Sequence, residues 1–504
     1  MSDDRIKNLL IVGGGTAGWM AAAALQKTLG SACRIRLIES DEIGTVGVGE
    51  ATVPHLSAFN KFLEIDEADF VKHVQGTFKL GIQFCDWARI GDRYVHGFGT
   101  QIGHDLGMLP FHQYWLKARA AGKAQDIGAY SLNTVAAPRG KFMVSAIDAP
   151  PNTPLANIAY AYHFDAGLYA RFLRGYAEAR GVQRTEGRIA KVELRPADGF
   201  VNAVTLADGQ RFEAELFIDC SGFRGLLIEE ALQTGYEDWS RWLPCDRAMA
   251  VACENVGPPT PYTRSTARTA GWQWRIPLQH RTGNGHVYAS AYLSDQEAAA
   301  TLLSNLDGKA LGTPRLLKFT TGRRKKFWNR NVVALGLAGG FMEPLESTAI
   351  YLIQSGIARL GLLFPKLDFS PVLIDRYNAQ STFEFERIRD FLILHYHATE
   401  RSDSPFWNYC RSMDIPDSLQ STIALFRDSG RFFRNADEMF GLVSWVQVML
   451  GQRIIPAAYH PSVDLMTEPD LYAFMADIEK VIDNCVNAMP PHQAFIDRYC
   501  KAVA

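Results

Sequence analysis

Ile6-Lys7-Asn8-Leu9-Leu10-Ile11-Val12 runs into Gly13-Gly14-Gly15-Thr16-Ala17-Gly18, and this stretch decides the fold. The apolar run predicts a short strand. Trp19 to Leu29 is alanine-rich and predicts a helix, and Arg34 to Ile38 predicts a second strand that ends in Glu39. Strand, glycine turn, helix, strand and terminal acid form a dinucleotide-binding unit. Gly13 permits the turn, Gly15 lets the backbone approach a pyrophosphate, and Gly18 lets helix and strand pack closely. The amides from Gly14 to Ala17 and the positive helix end favour phosphate oxygens. Glu39, 21 positions beyond Gly18, hydrogen-bonds a ribose 2′-hydroxyl and repels a 2′-phosphate.

The chain has 504 residues, enough for two to four domain-sized units and a large core. A formal charge of −2 argues neither for nucleic acid nor for an anionic membrane surface, and no partner of either kind is expected. The eight cysteines include no Cys-x-x-Cys pair, and the 12 histidines are scattered. Reduced thiols are expected, with no disulfide scaffold and no metal site. Met1-Ser2-Asp3-Asp4-Arg5 lacks the start of a signal peptide, and no apolar stretch is long enough to span a bilayer, so a cytoplasmic protein is expected.

Working outward from Glu39, Ile43 to Pro54 holds Gly44, Gly47 and Gly49, followed by Glu50 and Ala51, and suits a loop lying against a flat ligand. Residues 55 to 74 read as helical. Phe78, Leu80, Ile82 and Phe84 then alternate with Lys79, Gly81 and Gln83. That is a strand period, and it places Lys79 on the solvent face. His96-Gly97-Phe98-Gly99 is aromatic loop material. Strands are expected at 182–187, 189–193 and 201–206, with Asp208-Gly209 as a hairpin turn, and another at 214–218.

Trp272-Gln273-Trp274-Arg275-Ile276-Pro277 belongs to a second sheet-like region at 245–300. Lys309 to Lys326 reads as a solvated basic connection. Asn331 to Gly336 is a strand, residues 337 to 348 a loop, and Ala349 to Leu363 a helix that Ser347 or Thr348 is expected to cap. Glu343 and Glu346 lie at the helix start, where the dipole favours ionised acids and free amides suit a small anion. Beyond 376 the periodicity is mostly helical. His395-Tyr396-His397 lacks a third ligand at metal-like spacing.

Gly13 to Gly18, Gly47-Val48-Gly49-Glu50-Ala51-Thr52, Lys79, the Trp-x-Trp-x-Ile-Pro signature at Trp272, Trp274, Ile276 and Pro277, and Phe341 to Thr348 occur together and in order. Over essentially its whole length the chain resembles the flavin-dependent tryptophan halogenase family. The resemblance implies an α/β fold, in which an FAD-binding, Rossmann-like, glutathione-reductase-type module is combined with a mainly helical substrate-covering region. Residues 1–375 would form the first and 376–504 the second.

The resemblance further implies an enzyme that uses reduced FAD, oxygen and chloride or bromide to make hypohalous acid, which halogenates an aromatic substrate. Its catalytic lysine falls on Lys79 and its glutamate on Glu346. Its halide-binding amides fall on Thr348 and Ala349. FAD contacts fall on Gly13, Gly14, Gly15, Thr16, Ala17, Gly18, Glu39, Gly47, Gly49, Glu50, Ala51 and Leu337. As an ammonium Lys79 would polarise hypohalous acid, and as a free amine it would become a haloamine. Glu346 would orient the oxidant or act as base, in one chamber with Lys79.

One glycine turn and no separate NADH site imply a partner NAD(P)H-dependent flavin reductase, with a monomer or homodimer expected. Residues 436 to 450 lack the tyrosine pair that grips free tryptophan in the family, so an indole-like substrate is expected. The alternatives are a flavin-dependent aromatic monooxygenase, hydroxylase or epoxidase, and a catalytically silent flavoprotein. The double-tryptophan signature disfavours the monooxygenase.

Overall fold

The computed structural model describes residues 4–42, 49–146, 148–150, 153–435 and 437–502. The chain divides into two compact units, each assembled from three stretches. One comprises 1–75, 164–241 and 319–386, and the other 76–163, 242–318 and 387–504.

The first unit is built on a six-stranded sheet with Asn8–Val12 near its centre, between Leu216–Asp219 and Arg34–Glu39. Val332–Ala334 and Gln183–Glu186 extend it in parallel on the two sides, and Trp328–Asn329 closes one edge antiparallel. Strands buried on both faces need continuous apolar runs, and Leu9, Leu10, Ile11 and Val12 are all buried. Helix Thr16–Leu29 is buried along Gly18–Leu25. Its run of four alanines, Ala21 to Ala24, leaves no bulk to hold it off its neighbours. The chain leaves Asn8–Val12 toward one side of the sheet and returns later on the other. That makes a switch point at the carboxyl ends of these strands, where open α/β sheets place ligands. The hairpin around Asp208-Gly209 joins Val201–Leu206 to Arg211–Glu213.

The second unit carries a seven-stranded sheet in the order Arg315–Lys318, Arg247–Cys253, Thr282–Tyr288, Gly271–Pro277, Thr263–Arg268, Gly81–Cys85, Arg93–Gly97. All pairs are antiparallel except Thr263–Arg268 with Gly81–Cys85. The C-terminal helices include Asp417–Ser429, Leu442–Gly451, Glu468–Ala488 and His492–Tyr499. All eight cysteines are free. Among the described residues no helix is long and apolar enough to cross a membrane.

Three expectations are corrected. The alternating segment from Thr77 is two strands, not one. Thr77–Lys79 pairs antiparallel with residues 161–163, while Gly81–Cys85 belongs to the seven-stranded sheet. Both faces of the first piece are covered, so Lys79 is 0% exposed and not a solvent-face lysine. The basic stretch 309–326 is not a solvated connection throughout. Arg323 and Arg324 are buried on strand Gly322–Arg324, where Arg323 pairs with Glu237 and Glu386 and Arg324 with Glu229. Thr348 does not cap helix Ala349–Leu362 with its side chain. Thr348 occupies the cap position in helical geometry with no side-chain bond, and Ser347 sits at φ 60°.

Candidate active site

A cavity of about 720 Å³ opens at the switch point of the first unit. This is the size of a cofactor cleft, roughly 300–1,000 Å³. Gly13, Gly14, Gly15, Thr16, Ala17, Glu39, Glu50, Leu337 and Ala349 all line it. The three glycines of the turn differ in their surroundings. Gly13 has φ +107°, and a Cβ there would lie 2.3 Å from the carbonyl oxygen of Cys220. A Cβ on Gly18 would lie 1.9 Å from the Gly13 carbonyl, which is the close helix–strand approach. A Cβ on Gly15 would meet nothing within 4 Å. That open side faces the cavity and leaves room for a ligand against the backbone.

Glu39 ends its strand on the cavity wall, and Nε of Arg184 donates to its Oε1 at 2.5 Å. Arg174 approaches the same oxygen at 3.8 Å. Arg171, Arg174, Arg188 and Arg224 also line the cavity and place positive charge near the glycine turn. Glu50 is partly exposed on the wall, and burial pushes its carboxyl up to about 7. Gly47 lies outside the described residues. Gly49 and Ala51 form a short strand with Glu50 between them.

Sequence reasoning missed Asp219. It is wholly buried at the end of its strand. One of its carboxylate oxygens accepts from the amide and hydroxyl of Ser221, the other from the amides of Leu227 and Ile228. It thereby fixes the turn opposite Gly13. The strand-end Asp-Cys-Ser-Gly sequence was the available signal.

The turn Pro344–Glu346 precedes helix Ala349–Leu362, and Glu346 is 1% exposed. Ala349, Ile350, Ile353, Gly356 and Arg359 put one face of this helix on the cavity. At its far end Arg359 donates to Glu384, which also accepts from Ser355.

In the second unit the ammonium of Lys79 lies 5.1 Å from the ring centre of Phe98. An enclosed ammonium carries a desolvation cost of several kcal/mol, and a desolvated cation–π contact offsets about 2 kcal/mol of it. Phe78, on the opposite face of the strand, stacks on Phe142 at 4.4 Å and meets Phe495 edge-on at 5.4 Å. The Asn133 side-chain amide donates to the carbonyls of Leu80, Phe98 and Ala159, which ties the lysine strand to the Phe98 segment. Gln447 accepts from the amide of Gly97 at 2.6 Å and pins helix Leu442–Gly451 to the same segment. His96, Phe391, Phe440 and Trp445 form an aromatic cluster beside it. Trp272 and Trp274 lie on one side of their strand, 6.1 Å apart, and both are buried.

A family model described as tryptophan halogenase matches residues 8–468. The chain belongs to the tryptophan halogenase family. It is 33% identical to tryptophan 7-halogenase RebH of Lentzea aerocolonigenes, over 92% of this chain and 93% of that protein. To tryptophan 6-halogenase ThaL of Streptomyces albogriseolus it is also 33% identical, over 97% of each. Among solved structures, Xcc4156, a flavin-dependent halogenase from Xanthomonas campestris, is 52% identical with TM-score 0.96 and covers 99% of both chains. BrvH, a flavin-dependent halogenase from Brevundimonas sp. BAL3, is 47% identical with TM-score 0.94, over 98% of this chain and 99% of that one.

The protein is therefore a flavin-dependent halogenase with an FAD-binding Rossmann-like fold, an oxidoreductase that halogenates an aromatic substrate with FADH2 and halide. It relies on a separate flavin reductase. The monooxygenase alternative is not favoured. The cavity residues of the halogenase fit FAD: an open glycine cradle, a carboxylate at the second strand end, and arginines on the wall.

Proposed function

We propose that the halogenase acts on an indole-like, electron-rich aromatic, with Lys79 as the residue that presents the halogen and Glu346 as the base. The complete burial of Lys79 under the Phe98 ring carries this reading. A lysine whose work was solubility would not bear such a desolvation cost.

Gly13 to Gly18, Glu39, Gly49, Glu50, Ala51 and Leu337 would hold FAD, which in its reduced form would supply, with oxygen, the oxidation of halide. The amides of Thr348, at the cap position, and Ala349, first in the helix, have no intrahelical acceptors and would hold the halide. Hypohalous acid accepts a hydrogen bond from Nζ of Lys79, which draws electron density from the halogen. The ring carbon takes the halogen, the oxygen–halogen bond breaks, and the oxygen leaves as water with a proton from Lys79. Glu346 removes the ring proton, restoring aromaticity, and its charge stabilises the cationic ring beforehand. Both chloride and bromide fit this scheme.

Free tryptophan is the second reading, because RebH and ThaL are tryptophan halogenases. Against it stands helix Leu442–Gly451, which carries no tyrosine. Incubation with FAD, a flavin reductase, NADH and each halide, over indole, pyrrole, phenol and tryptophan, tests the proposal by mass spectrometry. Halogenated indole with little halogenated tryptophan is expected. Preferred turnover of tryptophan would overturn the substrate assignment.

A further inference from the structure

Thr77, two residues before Lys79 on the same strand face, is completely buried and bonds to two other strands. Its hydroxyl donates to the carbonyl of Pro277, the last residue of the Trp-x-Trp-x-Ile-Pro signature, at 2.7 Å. Its oxygen also lies 3.0 Å from Nδ1 of His163, its direct cross-strand partner. The single hydroxyl proton is spent on Pro277, so Nδ1 of His163 carries the hydrogen and donates. Nε2 then holds a lone pair, and the Thr263 hydroxyl, 2.9 Å away, donates to it.

The result is a directional chain: Thr263 to His163 to Thr77 to Pro277. Burial, then the charges of Lys79, His492 and Arg275, hold His163 well below its usual value, so the chain stays neutral and adds no positive charge beside Lys79. The flanking positions are pinned as well. The amide of Phe78 donates to Nε2 of His492, whose Nδ1 donates to the carbonyl of Pro259, and the amide of Leu80 donates to the carbonyl of Pro261.

We infer that Thr77 and His163 are positioning residues for Lys79, and that the Trp-x-Trp-x-Ile-Pro signature serves the reaction through the Pro277 carbonyl that anchors their chain. This rests on Lys79 being the residue that presents the halogen. A small hydroxyl side chain is required because it accepts from His163 and donates to Pro277 at once, which serine also does. Valine keeps the shape and leaves both the Pro277 carbonyl and the His163 N–H unpaired.

The test compares T77V, T77S, T263V and K79A in the full enzyme with FAD, reductase, NADH, bromide and indole. Free hypobromite is trapped with a 1,3-diketone and brominated indole is quantified separately. A positioning defect leaves oxidant production intact and lowers its delivery. T77V should lower kcat for indole at least about tenfold, with KM within about twofold and trapped hypobromite maintained. T77S should recover to within about threefold of wild type, and T263V should lose about threefold to tenfold with the same split.

Equal rates for T77V and T77S, or a parallel loss of oxidant and product, would overturn the inference. If T77V does not fold, T263V decides, and wild-type delivery by T263V would overturn it. K79A separates the two levels. An active K79A removes the role of Lys79 itself, whereas an inactive K79A beside a fully active T77V removes only the positioning chain.

Discussion

Arg184 and Glu39 form an ion pair at 2.5 Å across adjacent parallel strands, with both side chains about 15% exposed. The pair fixes the acid at the strand end on the wall of the cofactor cavity. Glu39→Ala should weaken FAD binding about tenfold, the loss of one charge-assisted hydrogen bond. Arg184→Ala should cost less, about threefold, because the carboxylate survives and loses only its orientation. Titration of the apo-enzyme by flavin fluorescence measures both, and equal losses would place the arginine itself on the cofactor.

The glycines of the turn separate binding from folding. Gly15 has φ −73° and open space where a Cβ would project, so Gly15→Ala should leave urea unfolding of the apo-enzyme unchanged. It should weaken FAD binding more than about tenfold by filling the pyrophosphate approach. Gly18→Ala drives a methyl to 1.9 Å from the Gly13 carbonyl. It should cost about 1–3 kcal/mol of apo stability, as overpacking does.

Glu50 makes a signed pH prediction. Its folded carboxyl, raised by burial from 4.5 to about 7, binds a proton that the unfolded chain has released. Stability from this group is therefore full below the unfolded value and is lost as pH rises through the folded one. Glu50→Gln lacks the loss, so its unfolding free energy relative to wild type should grow between about pH 5 and pH 7 by at most about 3 kcal/mol. His492, lowered by burial to about 4, acts in the opposite direction in both proteins and cancels in the difference. A difference that does not change with pH would contradict the assignment.

Glu346→Gln keeps shape and removes the base we propose. Indole halogenation should fall about 10²-fold or more, the span of general-base catalysis. FAD binding and hypobromite formation should persist. A loss confined to FAD binding would move Glu346 out of the chemistry.

The legible parts of this fold are local. Asn8–Val12, the glycine turn, its helix and Glu39 are contiguous, and each carries its own period or turn chemistry, so the sequence predicts them with boundaries off by at most three residues. The burial of Lys79 is illegible to periodicity for a physical reason. Alternation marks one buried face only when the other meets water. Here Leu80 breaks the strand, and Phe98 closes over the supposed solvent face. The partners of Thr77 lie 86 and 200 positions away, and single long-range hydrogen bonds leave no period. Arg323 and Arg324 misled for a related reason, since their carboxylates come from other strands and helices.

The central claim is that Lys79 delivers the halogen. The most direct measurement is brominated indole formed by wild type and K79A, each with reduced FAD, oxygen and bromide, with bound FAD checked in both. Wild type should give brominated indole. K79A should give none above the free-hypobromite background while binding FAD as wild type does. Product from K79A at the wild-type rate would contradict the account.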